Sequence, residues 1–220
     1  MLAPSNFPAR IYELLKRRII DGRFPPGAKL TEESLVKELG VSRTPIREAL
    51  NRLAQDGLIT IIPYRGAFVT TLSEEDVRDV FEIREALEGM AARLAAERMT
   101  PKTLARLRRH FKEGMAASRG NGYVEYSHAD REFHEALARA SGNRQLIQFL
   151  KALADRFQMI RRQTVRLSGR AQKSFREHLT VIEALSRRDP HMAETRIREH
   201  IRNVRSDLFK AMGKRNGKGG

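Results

Sequence analysis

The chain of 220 residues contains no cysteine. A disulfide framework and a thiolate metal site are therefore both excluded, and any bound metal must use histidine, carboxylate or water. Long apolar runs are also missing: no stretch approaches the roughly 20 residues of a membrane span, and Met1 to Arg10 lacks the apolar core of a secretory signal. These absences predict a soluble, cytoplasmic protein. Acidic residues are in deficit, 27 against 42 Lys and Arg, for a net charge of +15 and a pI near 10.8. That excess favours a polyanionic partner or an anionic ligand. It divides as +4 over residues 1–72 and +11 over 73–220, so it is not confined to one end.

What is present is helical periodicity. Phe7, Ile11, Leu14, Leu15 and Ile19 space a first helix that Asp21-Gly22 ends, and Phe24-Pro25-Pro26-Gly27 follows as a rigid turn. Thr31 with Glu32, Glu33 and Ser34 opens a second, whose Leu35, Val36 and Leu39 face inward before Gly40 stops it. Ser42 or Thr44 can cap a third, Pro45 is tolerated in its first turn, and Ile46, Ala49, Leu50 and Leu53 form its apolar stripe. Arg43 lies at the end where the helix dipole is positive, an unfavourable position unless a polyanion approaches. Two short helices joined at Gly40-Val41 give a helix-turn-helix, in which the second member enters the major groove of DNA. Leu58 to Ile62 then reads as a strand, Pro63-Tyr64-Arg65-Gly66 as a tight turn and Ala67 to Thr70 as the partner strand. This hairpin is the wing of a winged helix. Arg65 at its tip could reach phosphate or the minor groove, or could be a solvated turn residue.

The run through Ile19, Gly22, Pro26-Gly27, Leu30, Leu39 to Leu50, Leu53, Gly57-Leu58 and Gly66 to Val69 resembles the DNA-binding domain of the GntR family of bacterial transcription regulators. The resemblance implies that Arg43, Thr44, Arg47, Arg65 and Gly66 contact operator DNA, and that the protein works as a homodimer on a palindromic site.

From Ser73 onward only helical periodicity remains, in six predicted helices over 74–98, 101–118, 122–140, 143–167, 170–188 and 190–212. Thr100-Pro101 and Asp189-Pro190 read as cap and first-turn proline, and Gly213 to Gly220 reads as a disordered basic tail. The expected architecture is mainly α: a winged helix-turn-helix over 1–72, an antiparallel helical bundle over 73–212 and the tail.

Polar residues interrupt the bundle's apolar faces. Arg84 falls in the stripe of Val77, Val80, Phe81, Leu87, Met90, Ala91 and Leu94. It could pair with Glu88 or another acid, snorkel to the helix edge, or clamp the carboxylate of a small acid. Asp130 and His134 share a face at i and i+4, and His178 and His200 each lie on an apolar stripe of a later helix, whereas His128 and His191 point outward and His110 sits at a face edge. Each inward histidine could be a hydrogen-bonded core residue. Together with Asp130 they could instead converge on a divalent metal, for which this donor set suits Zn, Ni, Mn or Fe.

Arg84 within Glu82 to Glu88, the Asp130-x-x-Phe133-His134 pair, His178 and His200 resemble the FCD effector domain of the FadR subfamily. That resemblance implies a metal on the three histidines and Asp130, a small organic acid completing its coordination, and a role for Arg84 in holding the acid. The function expected is a DNA-binding transcription regulator, a repressor of a metabolic or transport operon, rather than an enzyme. The competing readings are a metal-dependent hydrolase fused to a DNA-binding module, for which no HExxH motif is present, and a non-specific DNA binder motivated by charge.

Overall fold

The computed structural model describes residues 7–117, 123–165 and 169–216. Its order is α1 (Phe7–Ile20), β1 (Lys29–Leu30), α2 (Glu32–Leu39), α3 (Arg43–Gln55), β2 (Ile59–Ile62), β3 (Gly66–Val69), α4 (Glu74–Arg98), α5 (Pro101–Ala117), α6 (Tyr123–Ala140), α7 (Arg144–Val165), α8 (Arg170–Ser186) and α9 (Pro190–Asn216). Two compact units result, residues 1–73 with 155–160, and 74–154 with 161–220. No helix is long and apolar enough to cross a membrane among the described residues.

In the first unit, Ile11, Leu15 and Ile19 of α1, Leu35 of α2 and Ile46, Ala49, Leu50 and Leu53 of α3 bury a common core. Phe7 and Leu14, which the periodicity of α1 assigns to this face, are exposed by 46% and 38%. The buried side is centred on Ile11, Tyr12, Leu15 and Ile19 instead. Thr31 caps α2 by accepting from the Ser34 amide at 3.2 Å, and Gly40 ends it in the left-handed conformation that glycine adopts without Cβ cost. Ser42 does precede α3, but its side chain makes no cap hydrogen bond. The antiparallel sheet runs in the order β1-β3-β2, with Ile59 opposite Val69 and Ile62 opposite Gly66. Strand β1, paired at Lys29 with Phe68, is too short to give a period-2 signal in the sequence.

In the second unit α4 packs on α9, α6 and α8, α5 on α6 and α8, and α8 on α9. The caps act as expected: Thr100 Oγ1 accepts from Thr103 N, and Asp189 Oδ1 from Met192 N. On α4 the buried face holds Val77, Val80, Phe81, Arg84, Glu88 and Ala91, whereas Leu87 is only half-buried and Met90 is exposed. Leu87 and Met90 belong to a second apolar strip with Ile83 and Leu94, at i, i+4, i+7 and i+11, which merges with the core face when only hydrophobicity is counted. Helix α9 continues to Asn216, four residues into the segment whose composition predicts disorder; residues 217–220 lie outside the described residues.

Candidate functional site

Helix α3 presents Arg43, Thr44 and Arg47 on its exposed side, while Ile46, Ala49, Leu50 and Leu53 anchor the opposite face. Arg43 and Thr44 occupy the first turn, where the positive helix end complements an approaching phosphate. Arg47 also has a partner within the chain: its Nε and one terminal nitrogen donate to the two carboxylate oxygens of Glu32, each at 3.0 Å. This bidentate pair ties α3 to the first turn of α2. At the wing, the Arg65 amide donates to the Ile62 carbonyl at 3.0 Å, closing a turn through Pro63 and Tyr64. Tyr64 is fully exposed with φ of 60°, an uncommon conformation for a bulky side chain, and Gly66 has φ of 105°. A Cβ on Gly66 would come within 3.3 Å of Lys29 Cε, so this position combines a special backbone angle with a close neighbour.

The second unit brings Asp130, His134, His178 and His200 together, one donor atom of each lying within 4.8 Å of the others. Helix α6 supplies Asp130 and His134 one turn apart, α8 supplies His178 and α9 His200. His178 Nε2 lies 3.2 Å from His200 Nε2 and 3.7 Å from Asp130 Oδ1, and His134 Nε2 lies 3.6 Å from Asp130 Oδ2. Spacings near 3 Å are those of neighbouring ligands on one metal with metal–nitrogen bonds of about 2.1 Å.

Outer carboxylates orient the rings. Glu177 Oε2 receives His200 Nδ1 at 2.7 Å, and Glu88 faces His134 Nδ1, which leaves each Nε2 lone pair turned toward the cluster. His134 Nε2 is buried with no hydrogen-bond partner. An orphaned buried acceptor is costly, and its placement between these donors fits a cation. Burial pushes the pKa of His178 and of His200 well down, assisted by neighbouring positive groups and opposed by Asp130. Both rings are thus neutral and have lone pairs for coordination. The four residues could hold a divalent metal.

Sequence reasoning named Glu88 only as a partner for Arg84, and it missed Glu177, Arg170 and Asn203. Arg84 Nε donates to Glu88, so the paired alternative is the one observed, and both residues are buried. Arg170 is buried against Glu177 and Asp207, and Asn203 Nδ2 donates to Glu177 Oε1 at 2.9 Å. The available signal was Arg170 and Ser174 at i−8 and i−4 from His178, two more polar residues on one buried stripe. His128, His191 and His110 are exposed.

Residues 8–69 match the model of the bacterial regulatory proteins of the gntR family, and residues 79–203 match the FCD domain. The chain belongs to the GntR family. Relatives of this GntR-family protein include the HTH-type transcriptional regulator YdhC of Bacillus subtilis, 31% identical over 199 residues covering 90% of this chain and 89% of that one. The HTH-type transcriptional repressor RspR of Escherichia coli is 30% identical over 198 residues, covering 89% and 86%. The structure of E. coli McbR/YncC shares the fold with a TM-score of 0.79 at 23% identity, covering 96% of this chain and 99% of that one. This GntR-family chain is therefore a DNA-binding transcription regulator, and the hydrolase reading falls because its family and relatives are regulators.

Proposed function

We propose that the regulator is a homodimeric repressor that binds a palindromic operator through residues 1–72 and is controlled by a small organic acid at a metal in residues 73–212. The carrying observation is the convergence of Asp130, His134, His178 and His200 on one point, with Glu88 and Glu177 fixing two of the rings. Zn, Ni, Mn and Fe all suit this donor set. The metal supplies a Lewis-acidic anchor for a carboxylate. Arg84, one helical turn from Glu88 and paired with it, supplies positive charge to the same region, and an incoming acid shares the guanidinium with Glu88.

Support for a dimer comes from apolar surface. Ile83 and Met90 on α4 are 51% and 42% exposed, and Phe149 on α7 is 58% exposed. A second copy covering these strips would remove them from water. Two operator-reading helices held by one dimer must match the spacing of two half-sites, so any acid that repacks the bundle changes operator occupancy. A coupling of about 1–3 kcal/mol is enough.

At the operator, Arg43, Thr44, Arg47, Arg65 and Gly66 make the contacts in this reading. The salt bridge to Glu32 positions Arg47 for phosphate or base contact with its remaining donors. Arg43→Ala should weaken operator binding by about 1–3 kcal/mol while leaving random-duplex binding much less affected, the pattern of a base-reading side chain. Titration of both duplexes at several salt concentrations checks this. Equal losses on both would make Arg43 a phosphate contact only, and equal affinity of the wild type for both would restore the non-specific reading.

Metal analysis of the purified protein, followed by thermal unfolding with a panel of mono- and dicarboxylates, tests the effector site. A ligand favouring the folded state raises the unfolding temperature. Metal-free protein that no carboxylate stabilises would overturn this reading.

A further inference from the structure

Apart from the Asp130 and histidine cluster, a cavity of about 370 Å³ lies between α5 and α6 and is lined from both helices. That volume is within the range of small-molecule pockets. The two helices pack tightly at Gly114 and Ala129, where a Cβ on Gly114 would sit 2.3 Å from the Ala129 Cβ. His110 Nδ1 approaches Glu132 at 3.7 Å further along. Arg106 of α5 and Arg139 of α6 both line the groove, together with Ala136.

The groove has an apolar floor and two arginines in its lining. Leu107, Phe111 and Phe133 form the floor and are buried in the core. Arg106 is exposed, and Arg139 is shared with Glu135 at 3.0 Å. The only carboxylate among the described lining residues, Glu132, lies beside His110. An apolar floor with two arginines among its lining residues matches an amphipathic carboxylate, whose anionic end Arg106 and Arg139 would take and whose apolar body would lie on Leu107 and Phe133. We infer that the α5/α6 groove binds a small amphipathic carboxylic acid, aromatic or acyl, at a site separate from the metal cluster. The separation is a wall of aromatic rings: Phe133 stacks on His178 with centroids 4.1 Å apart, and Phe111 meets His178 edge-on at 5.6 Å. A groove ligand therefore touches the ring that backs one of the proposed metal ligands.

The probe is 2-naphthoate, titrated by fluorescence into the full-length protein, with neutral 2-naphthol as the comparison. Saturable naphthoate binding is expected, weakened about 10- to 100-fold by R106Q/R139Q, which removes two charge-assisted contacts. Neutral naphthol should bind the wild type correspondingly less well. A136F, which fills the groove, should abolish binding, with circular dichroism confirming that the variant is folded. The exposed arginine pair provides the second variant should A136F fail to fold. Binding should persist after EDTA treatment, which separates this site from the effector reading: that reading can fail on metal analysis while the groove still binds. Absence of saturable naphthoate binding, indifference to R106Q/R139Q, or loss of binding with EDTA would each overturn the groove site.

Discussion

Replacing His178 with alanine is expected to lower divalent-metal affinity by more than about 100-fold, beyond the roughly 10- to 100-fold typical of losing an outer-shell partner. His178 is fully buried, lies 3.2 Å from His200 Nε2 and 3.7 Å from Asp130 Oδ1, and is held by stacking on Phe133 rather than by a hydrogen bond to its Nδ1. Its removal takes away the donor that α8 contributes to the cluster. Glu177→Gln makes the comparison: it leaves all four proposed ligands but weakens the acceptor that orients His200, so its loss should fall in the lower range. Competition with a chromogenic chelator measures both affinities. Thermal unfolding with and without EDTA gives an independent reading, because metal bound to the folded state stabilises it by mass action. Wild type should lose stability in EDTA and His178→Ala should not. Wild-type metal affinity in His178→Ala would remove the cluster from the metal site altogether.

The legible parts of this molecule are those where one short-range rule acts alone. Helix limits followed from Thr31, Gly40, Thr100 and Asp189, because a cap depends on residues within one turn. The inward placement of His178 and His200 followed from period 3.6, because each falls among buried apolar neighbours of its own helix. Periodicity fails where a helix has two apolar strips. On α4 it merged Met90 with the core, although Arg84 and Glu88 take the buried positions and Met90 faces outward. It is also silent on pairing between helices. Arg47 sits where the motif requires, yet its link to Glu32 joins residues 15 apart, and Glu177 meets His200 across 23 residues. Such partners are fixed by the relative rotation of packed helices, which no single-helix pattern specifies.

Arg84→Met should destabilise the fold by about 3–5 kcal/mol, the usual loss when one partner of a buried ion pair is removed. Burial alone would raise the Glu88 pKa, but Arg84 and His134 outweigh it and hold the carboxyl down to about 2. A depressed carboxylate stabilises the fold above its unfolded pKa, about 4.3, and that contribution disappears as pH falls toward the folded value. The stability gap between variant and wild type should therefore narrow as pH falls from about 4.3 toward 2, where wild type loses this contribution, and chemical denaturation across a pH series measures it. Arg84→Met/Glu88→Leu should recover much of the stability, since a buried pair can be replaced by apolar groups at little net cost. It should still bind metal about 10- to 100-fold more weakly, because His134 loses its orienting carboxylate. Arg84→Lys separates the structural role from the effector role: it keeps a cation beside Glu88 but cannot grip a carboxylate with two parallel donors. Retained stability with a diminished thermal shift from the effector acid would place Arg84 on the acid. Unchanged stability together with an unchanged acid response would leave Arg84 as the residue that holds Glu88, and through it His134, in position.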